Sequence, residues 1–365
     1  MNDRGLRNIT VNVDLKKNIS YKSGYDITAA SELMAIFCLA KNLDDLKERI
    51  NNILVAYSKT NKPIYVKDLG IVNAILKILK YAFKPNAVQS LEGNLALIHG
   101  GPFANIAHGC NSIVATNTAM NIADYTVTEA GFASELGAEK FLDIVANEIN
   151  KFPNAIVLVT SIRSLKMHGD VNNPNALEVG LDNLQRHINN LKNFKIPFMV
   201  AINKFATDSA NEIAQISKFL EKQKIEYSLC TNFVDGSKGT TDLAKKVVKL
   251  CAKSSKPQRI YSTSDSVKDK IKKIAAKCYG AKDVVYSPLA QTKLKQLAKY
   301  KQHYICMAKT PISFTDDPKV LTVDKPFSIH VKDLVLVNGA KFIVVLTGDI
   351  FRMPGLPKTP AAKEM

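Results

Sequence analysis

No apolar run in the chain approaches the roughly 18 uninterrupted residues that a membrane-spanning helix requires. The opening residues, Met1-Asn2-Asp3-Arg4, carry no apolar signal-peptide core. A soluble cytoplasmic protein with no membrane partner is expected. Cysteine is sparse and scattered: Cys38, Cys110, Cys230, Cys251, Cys278 and Cys306 form no Cys-x-x-Cys pair and no zinc-ligand spacing. This argues against a disulfide framework and for a reducing compartment. His99, His108 and Cys110 stand at irregular intervals without a matching carboxylate cluster, so no bound metal is expected there. Acidic residues are outnumbered, 33 Asp and Glu against 50 Lys and Arg, for a formal charge of +17. An excess of that size suits a polyanion, but the lysines are spread through the chain among many Asn and Ile. They read as compositional bias, and nucleic acid is not an expected partner. A lysine-lined groove for a polyanionic small molecule fits the charge equally well. There is no internal repeat and no low-complexity tract.

What is present is an ordinary globular composition, 46% apolar and 23% charged over 365 residues, enough for a large core and two or more domains. The pattern from about residue 26 to 82 is helical, with an apolar helix opening at Ser31-Glu32-Leu33, a second over Asp44 to Ile53 and an amphipathic one over Val72 to Tyr81. A different rhythm then begins. Short apolar runs at Leu95 to Ile98, Tyr125 to Thr128, Ala155 to Val159 and Phe198 to Ile202 alternate with helical stretches, the pattern of a parallel, doubly wound sheet. In such sheets ligands bind beyond the carboxyl ends of the strands. The loops His99 to Gly109, Glu129 to Phe132, Ser161 to Arg163 and Asn203 to Asp208 are all expected there.

Past about residue 215 the pattern predicts a helix, a strand near Tyr227 to Cys230, the loop Asp235 to Gly239 and lysine-rich helices to about 300. Phe327 to Val331 and Phe342 to Leu346 alternate like strands around an Asn338-Gly339 turn. Met353 to Lys358, with two prolines, is expected to be extended.

Within this framework the run from Gly100 to Cys110 stands out. Its glycines permit close approach or positive φ, Pro102 stiffens it, and the amides beyond belong to a helix start that favours anions. Phe205 and Phe233 each end a predicted strand beside turn-forming residues, where a ring can stack on a planar ligand or pack within its loop. Arg163, Lys166, Lys204 and Lys309 are candidates to hold phosphate or carboxylate, although most lysines in so basic a chain solvate the surface. Asn203-Lys204 followed by Asp208 is similar to a nucleotide-base reader, at the wrong spacing.

Taken together, these stretches resemble formate-tetrahydrofolate ligase. The resemblance rests on Asp26 to Glu32, Gly100 to Cys110, Thr128 to Phe132, Leu136 to Phe141, Leu165 to Gly169 and Ala201 to Phe205. It continues through Tyr286-Ser287-Pro288, Met307 to Thr310, Asp316 to Lys319 and Leu346 to Lys358. It implies a ligase that phosphorylates formate with ATP, accompanied by Mg, and passes the formyl group from formyl phosphate to N10 of tetrahydrofolate. On that basis Phe205 and Phe233 match the family's ring-stacking aromatics, and Phe103, Ala104 and Asn105 occupy its substrate loop. Gly100, Gly101, Arg163 and Lys204 are the phosphate or anion candidates.

The sequence departs from the family in several places. No Gly-x-x-x-x-Gly-Lys-Ser/Thr loop occurs in the 365 residues, so the phosphate-loop lysine is missing from the catalytic set. Phe233 stands where the family usually has Trp, Ala206 replaces Pro, and Ala133-Ser134-Glu135 replaces Gly-Ala-Asp. Lys16 to Gly24 and Gly236 to Thr240 also differ.

The expected fold is α/β: a P-loop-NTPase-like, doubly wound, mostly parallel sheet whose N-terminal part is missing, with a second α/β lobe and a C-terminal strand-rich segment. The expected division is a helical segment over 1-90 continuing from the missing part, a doubly wound core over 91-214 and a C-terminal lobe over 215-365. The expected partners are small-molecule substrates, a separate N-terminal portion bearing the phosphate loop, and further copies of the chain, a tetramer for the complete enzyme. The alternative is a noncatalytic remnant, or a folate-binding and interaction module.

Overall fold

A computed structural model describes residues 4–14, 19–323 and 325–350. The stretch Met353 to Lys358 lies outside the described residues. In chain order, β1 (Ile9–Asp14) pairs antiparallel with β2 (Ile19–Ser23), and α1 (Glu32–Leu39) and α2 (Leu43–Asn51) come next. The antiparallel pair β3 (Leu54–Tyr57) and β4 (Pro63–Tyr65) precedes α3 (Val72–Leu79), β5 (Asn86–Gln89), β6 (Leu95–Ile98) and α4 (Ile113–Ile122). Two π-helical stretches, Ala133–Ala138 and Phe141–Val145, lead into α5 (Ala146–Glu148). Then come β7 (Ile156–Thr160), α6 (Ile162–His168), α7 (Ala176–Asn193), β8 (Phe198–Asn203), α8 (Ala210–Lys222) and β9 (Tyr227–Cys230). The remainder is α9 (Asn232–Asp235), α10 (Thr241–Cys251), α11 (Val267–Ile274), β10 (Asp283–Tyr286), α12 (Pro288–Leu297), β11 (Tyr304–Ala308), β12 (Ser328–Val337) and β13 (Phe342–Thr347).

The chain divides into two compact units. The first comprises the described residues of Met1–Gly131, His303–Lys309 and Lys332–Met365, and the second those of Phe132–Gln302 and Thr310–Val331.

In the first unit the three helices expected from periodicity are present as α1, α2 and α3. Ser31 caps α1 by accepting the Met34 N–H at 3.2 Å, and Ala35 to Leu39 are buried. The parallel pair β11 and β13, in register from Tyr304 with Phe342 to Ala308 with Leu346, is buried on both faces. Such strands read as continuous apolar runs, as Phe342-Ile343-Val344-Val345-Leu346 does. The turn at Asn338, closed by the Lys341 N–H donating to the Asn338 carbonyl at 3.1 Å, leads into β13 where the Asn338-Gly339 signal predicts it.

The structure corrects two expected strands of the parallel sheet. Leu95 to Ile98 pairs antiparallel with β5, in register from Asn86 with Ile98 to Gln89 with Leu95. The intervening Ser90-Leu91-Glu92-Gly93-Asn94 closes a local hairpin, which competes successfully with long-range parallel pairing. Tyr125 to Thr128 forms no strand, and Val127 is 92% exposed. Only the isolated bridge from Cys110 to Ala130 pairs this region.

In the second unit β7, β8 and β9 form a three-stranded parallel sheet, Ile156 opposite Phe198 and Val200 opposite Tyr227. The buried stripe Leu177, Leu181, Leu184, Ile188 and Leu191 of α7 recurs every three or four residues and packs with Val200 and Ile202 of β8. Ser209 and Glu212 form a capping box that starts α8. β10 pairs parallel with Ser328 to Val331.

The π-helical region of this unit buries Glu135, Glu139, Lys140 and Asp143. The Ile260 N–H donates to Asp143 Oδ1 at 3.0 Å, but no N–H or hydroxyl reaches Asp143 Oδ2 or either carboxyl oxygen of Glu139. Burying two charged carboxylates with so few donors costs several kcal/mol per ion, so the pair retains a proton. Burial pushes Asp143 up to about 7, opposed by the Ile260 N–H, the neighbouring Glu139 carboxyl, Arg259 and Lys277. Burial, with the Asp143 charge second, raises Glu139 well above the usual carboxylate range.

Both folded-state values lie above the unfolded ones. The stability that the bound protons contribute is therefore complete below pH ~4 and is lost as pH rises through about 7, with Glu139 extending the loss upward. Glu139→Gln should become steadily more stable relative to the parent chain as pH rises from 5 to 8, measured by urea unfolding. A difference that stays flat across that range would show that the pair holds no proton.

Candidate functional site

The residues singled out by sequence fall in both units, and each group has its own geometry. In the first unit, the run Gly100 to Cys110 lies between β6 and α4. The chain folds back on itself, with the Ala107 N–H donating to the Phe103 carbonyl at 2.6 Å and the Ile106 N–H to the same oxygen at 3.2 Å. Gly109 has φ +69°, and a Cβ there would lie 2.1 Å from Ala104 Cβ. Gly100 has φ +74°, and a Cβ there would lie 2.3 Å from Cys38 Sγ. These two glycines therefore serve packing within the protein. Gly101 differs, since nothing lies within 4 Å of its Cβ position. Gly101 and Phe103 are exposed, with Pro102 buried between them.

Behind that surface the loop is anchored. Ala104, Ile106, Ala107 and His108 are buried, and Ile106 packs with Ile27, Ala29 and Ala30. The Asn105 carbonyl accepts the Lys309 N–H at 3.0 Å, which ties the loop to the end of β11. Asn105 Oδ1 is buried with no hydrogen-bond partner, an acceptor left over at the loop's centre. His99 lies in the core, Nδ1 2.6 Å from Ser112 Oγ and Nε2 2.9 Å from the Ala82 carbonyl, with its ring 4.6 Å from that of Phe37. Burial lowers its pKa, so it serves as a neutral packing group. Burial pushes the Cys38 thiol up to about 12, which removes it as a nucleophile.

In the second unit, Arg163, Lys204, Phe205 and Phe233 all lie just past the carboxyl ends of the adjacent strands β7, β8 and β9. Arg163 is exposed in the first turn of α6, whose N-cap Ser161 accepts the Ser164 N–H at 3.2 Å. The Lys204 N–H donates to the Cys230 carbonyl at 2.9 Å, extending the β8 to β9 ladder up to the two aromatic positions. Phe205 is 38% exposed and Phe233 86% exposed. Glu212, in the first turn of α8, forms an ion pair with Lys166 of α6 and accepts from the Ser209 N–H and hydroxyl at 2.9 and 2.7 Å. The hydrogen bond from Lys166, with those from Ser209, holds its carboxyl down at about 2.

The parallel edge therefore brings together two of the four loops expected there, those after β7 and β8, and adds the Phe233 loop after β9. The loops at His99 and Glu129 do not extend from parallel strands. They approach each other in the first unit through the Cys110 to Ala130 bridge. Sequence reading missed the buried carboxyls. Their signal was acids at 135, 139 and 143 threaded through the apolar run Leu136, Phe141, Leu142, Ile144 and Val145.

The three glycines of the loop separate packing from ligand access. Gly109→Ala should destabilise the chain by about 2–4 kcal/mol, the sum of left-handed strain and overpacking. Gly101→Ala should stay within about 0.5 kcal/mol of the parent. Urea midpoints at constant m-value decide this, and equal effects at both positions would remove the distinction.

Comparison with known proteins identifies the family. The sequence model of formate-tetrahydrofolate ligase matches residues 1–365. The formate-tetrahydrofolate ligase of Campylobacter concisus is 50% identical over 376 aligned positions, covering 100% of this chain and 68% of that protein. The formate-tetrahydrofolate ligase of Lactobacillus gasseri is 47% identical over 375 positions, covering 100% of this chain and 67% of that protein. With the whole sequence matched at about half identity, the chain belongs to the formate-tetrahydrofolate ligase family.

Proposed function

We propose that this chain carries the folate-binding and formyl-transfer residues of an ATP-dependent ligase that joins formate to tetrahydrofolate, giving 10-formyltetrahydrofolate, ADP and phosphate. The observation that carries this reading is the pair of exposed rings, Phe205 and Phe233, on the ends of neighbouring strands β8 and β9. Exposed aromatics on a rigid sheet edge offer stacking surfaces for a planar pterin, and Phe supplies a smaller face at 233 than the family's Trp. Arg163 and Lys204, beside them, supply positive charge for carboxylate or phosphate. In the first unit, Gly101 and Phe103 are exposed and offer backbone and a ring to a ligand.

In this reaction a formate oxygen attacks the γ-phosphorus of ATP and ADP leaves. N10 then attacks the formyl carbon, and phosphate departs as the N10 proton is lost. The residues of this chain orient the acceptor for the attack. The phosphates of ATP are another matter. The 365 residues contain no Gly-x-x-x-x-Gly-Lys-Ser/Thr loop, and among the described residues no three or more His, Cys, Asp or Glu are grouped to hold a metal ion. In this reading the phosphate grip, and the magnesium that accompanies ATP, come from sequence beyond these residues. Assembly with further copies of the chain, as a tetramer, belongs to the same proposal. Cytoplasmic placement belongs with it, because the substrates are charged and polar.

The same absence supports a second reading, in which the chain binds folate without catalysis. Calorimetric titration with tetrahydrofolate and with ATP tests the first part: folate should bind, and Phe205→Ala should weaken it about tenfold, the value of one aromatic stack. Formyl transfer should then appear only on co-expression with a polypeptide bearing the phosphate loop. Full turnover by the chain alone would overturn the division of labour, and no turnover in any combination would favour the noncatalytic reading. Folate binding indifferent to both rings would overturn the site.

A further inference from the structure

Asp208, which stands five residues after Asn203, is at the wrong spacing for a base-reading role and offers no ring for stacking. Its carboxylate has a local task. Oδ2 accepts the Phe205 N–H at 2.8 Å, and the Asp208 N–H donates to the Phe205 carbonyl at 3.1 Å. Two reciprocal hydrogen bonds thus close a four-residue turn, Phe205-Ala206-Thr207-Asp208, with Ala206 and Thr207 at its centre.

Both ends of this turn are fixed. On one side, the Lys204 N–H is held by the Cys230 carbonyl at the end of β9. On the other, Ser209 is the N-cap of α8, and its capping partner Glu212 is ion-paired to Lys166 of α6. Between those anchors the direction of the Phe205 side chain depends on the turn itself. A type I or II turn is commonly preset by proline at its second position, which fixes φ near −65°. Here that position is Ala206. Alanine presets nothing, so the Asp208 clamp carries the ordering that a proline there would otherwise share.

We infer that Asp208 is a positioning residue that holds Phe205 in its ligand-stacking orientation by clamping both the amide and the carbonyl of Phe205. This rests on the reading of Phe205 as a folate-stacking ring. The clamp is local, so its loss leaves the sheet and the α7 core intact and acts on ligand binding through orientation. Asn at 208 keeps an acceptor oxygen for the Phe205 N–H and preserves the clamp, whereas Ala does not.

The test uses the full 365-residue chain. Asp208→Ala should raise the Kd for tetrahydrofolate about fivefold and speed hydrogen exchange at the Phe205 amide about tenfold, the loss of one charge-assisted hydrogen bond. Asp208→Asn should restore most of both. Ala206→Pro added to Asp208→Ala should recover folate affinity, because the ring's orientation is then preset by the backbone. In the Phe205→Ala background, Asp208→Ala should add less than about twofold, since the two residues act through one contact. An unchanged Phe205 amide in Asp208→Ala overturns the clamp, with or without ligand. Loss of folate binding in Phe205→Ala but not in Asp208→Ala overturns the positioning role. If Phe205→Ala binds folate like the parent, the stacking reading fails, and amide exchange with the proline rescue of exchange still decides whether Asp208 orders the turn.

Discussion

Two parallel strands cannot be joined by a tight turn, and this constraint organises the second unit. The chain must leave the end of β7, cross through α6 and α7, and re-enter at the start of β8; α8 then repeats the crossing to β9. Every crossover therefore begins at the same edge of the sheet. That edge collects the first residues past each strand: Arg163 after β7, Lys204 and Phe205 after β8, Phe233 after β9. The residues are far apart in sequence and become neighbours through strand order alone. The hydrogen bond from the Lys204 N–H to the Cys230 carbonyl shows the ladder reaching the point where the aromatic positions begin.

The energy for this arrangement comes from behind the edge. The apolar stripe of α7 is buried against β8 together with Ile216 and Leu220 of α8, and each fully buried Leu or Ile contributes about 1.5–3 kcal/mol. That surplus allows costly features elsewhere in the unit. Glu139 and Asp143 are buried with almost no donors, and Phe132 and Ala133 both adopt positive φ at +60° and +62°. Ala133 thus holds the left-handed conformation without being the glycine that adopts it freely, a cost of about 1–2 kcal/mol. Phe132 and Glu139 fall within the Thr128 to Phe132 and Leu136 to Phe141 stretches, Ala133 between them and Asp143 just beyond.

The sequence was most legible where periodicity and capping act together. Helices α1, α2, α3 and the strands β7, β8, β9 and β13 follow from apolar spacing, and Ser31 marks a helix start that its hydrogen bond to the Met34 N–H bears out. It was least legible for Leu95 to Ile98 and Tyr125 to Thr128. Four apolar residues carry no information about which neighbour will pair with them, and the turn-forming Ser90 to Asn94 supplied a nearer partner for the first. Within the candidate site, the residue types were readable but their duties were not. Gly100, Gly101 and Gly109 look alike in sequence, yet two are consumed by contacts with Cys38 and Ala104 and one faces open space. Only tertiary contacts distinguish them.

The charge of the chain also changes meaning once burial is known. The formal value of +17 counts every carboxyl as ionised, whereas the Glu139 and Asp143 pair retains a proton near neutral pH. At physiological ionic strength, however, exposed charges more than about 8 Å apart are largely screened. A diffuse excess of lysine can speed the approach of an anionic substrate without deciding where it stops. The stopping place has to be set at short range, by groups fixed on a rigid edge. Helix α6 and the β8 to β9 ladder fix the backbones of Arg163 and Lys204, and under the proposed function the neighbouring rings are there to give an anionic, planar ligand a second, uncharged reason to remain.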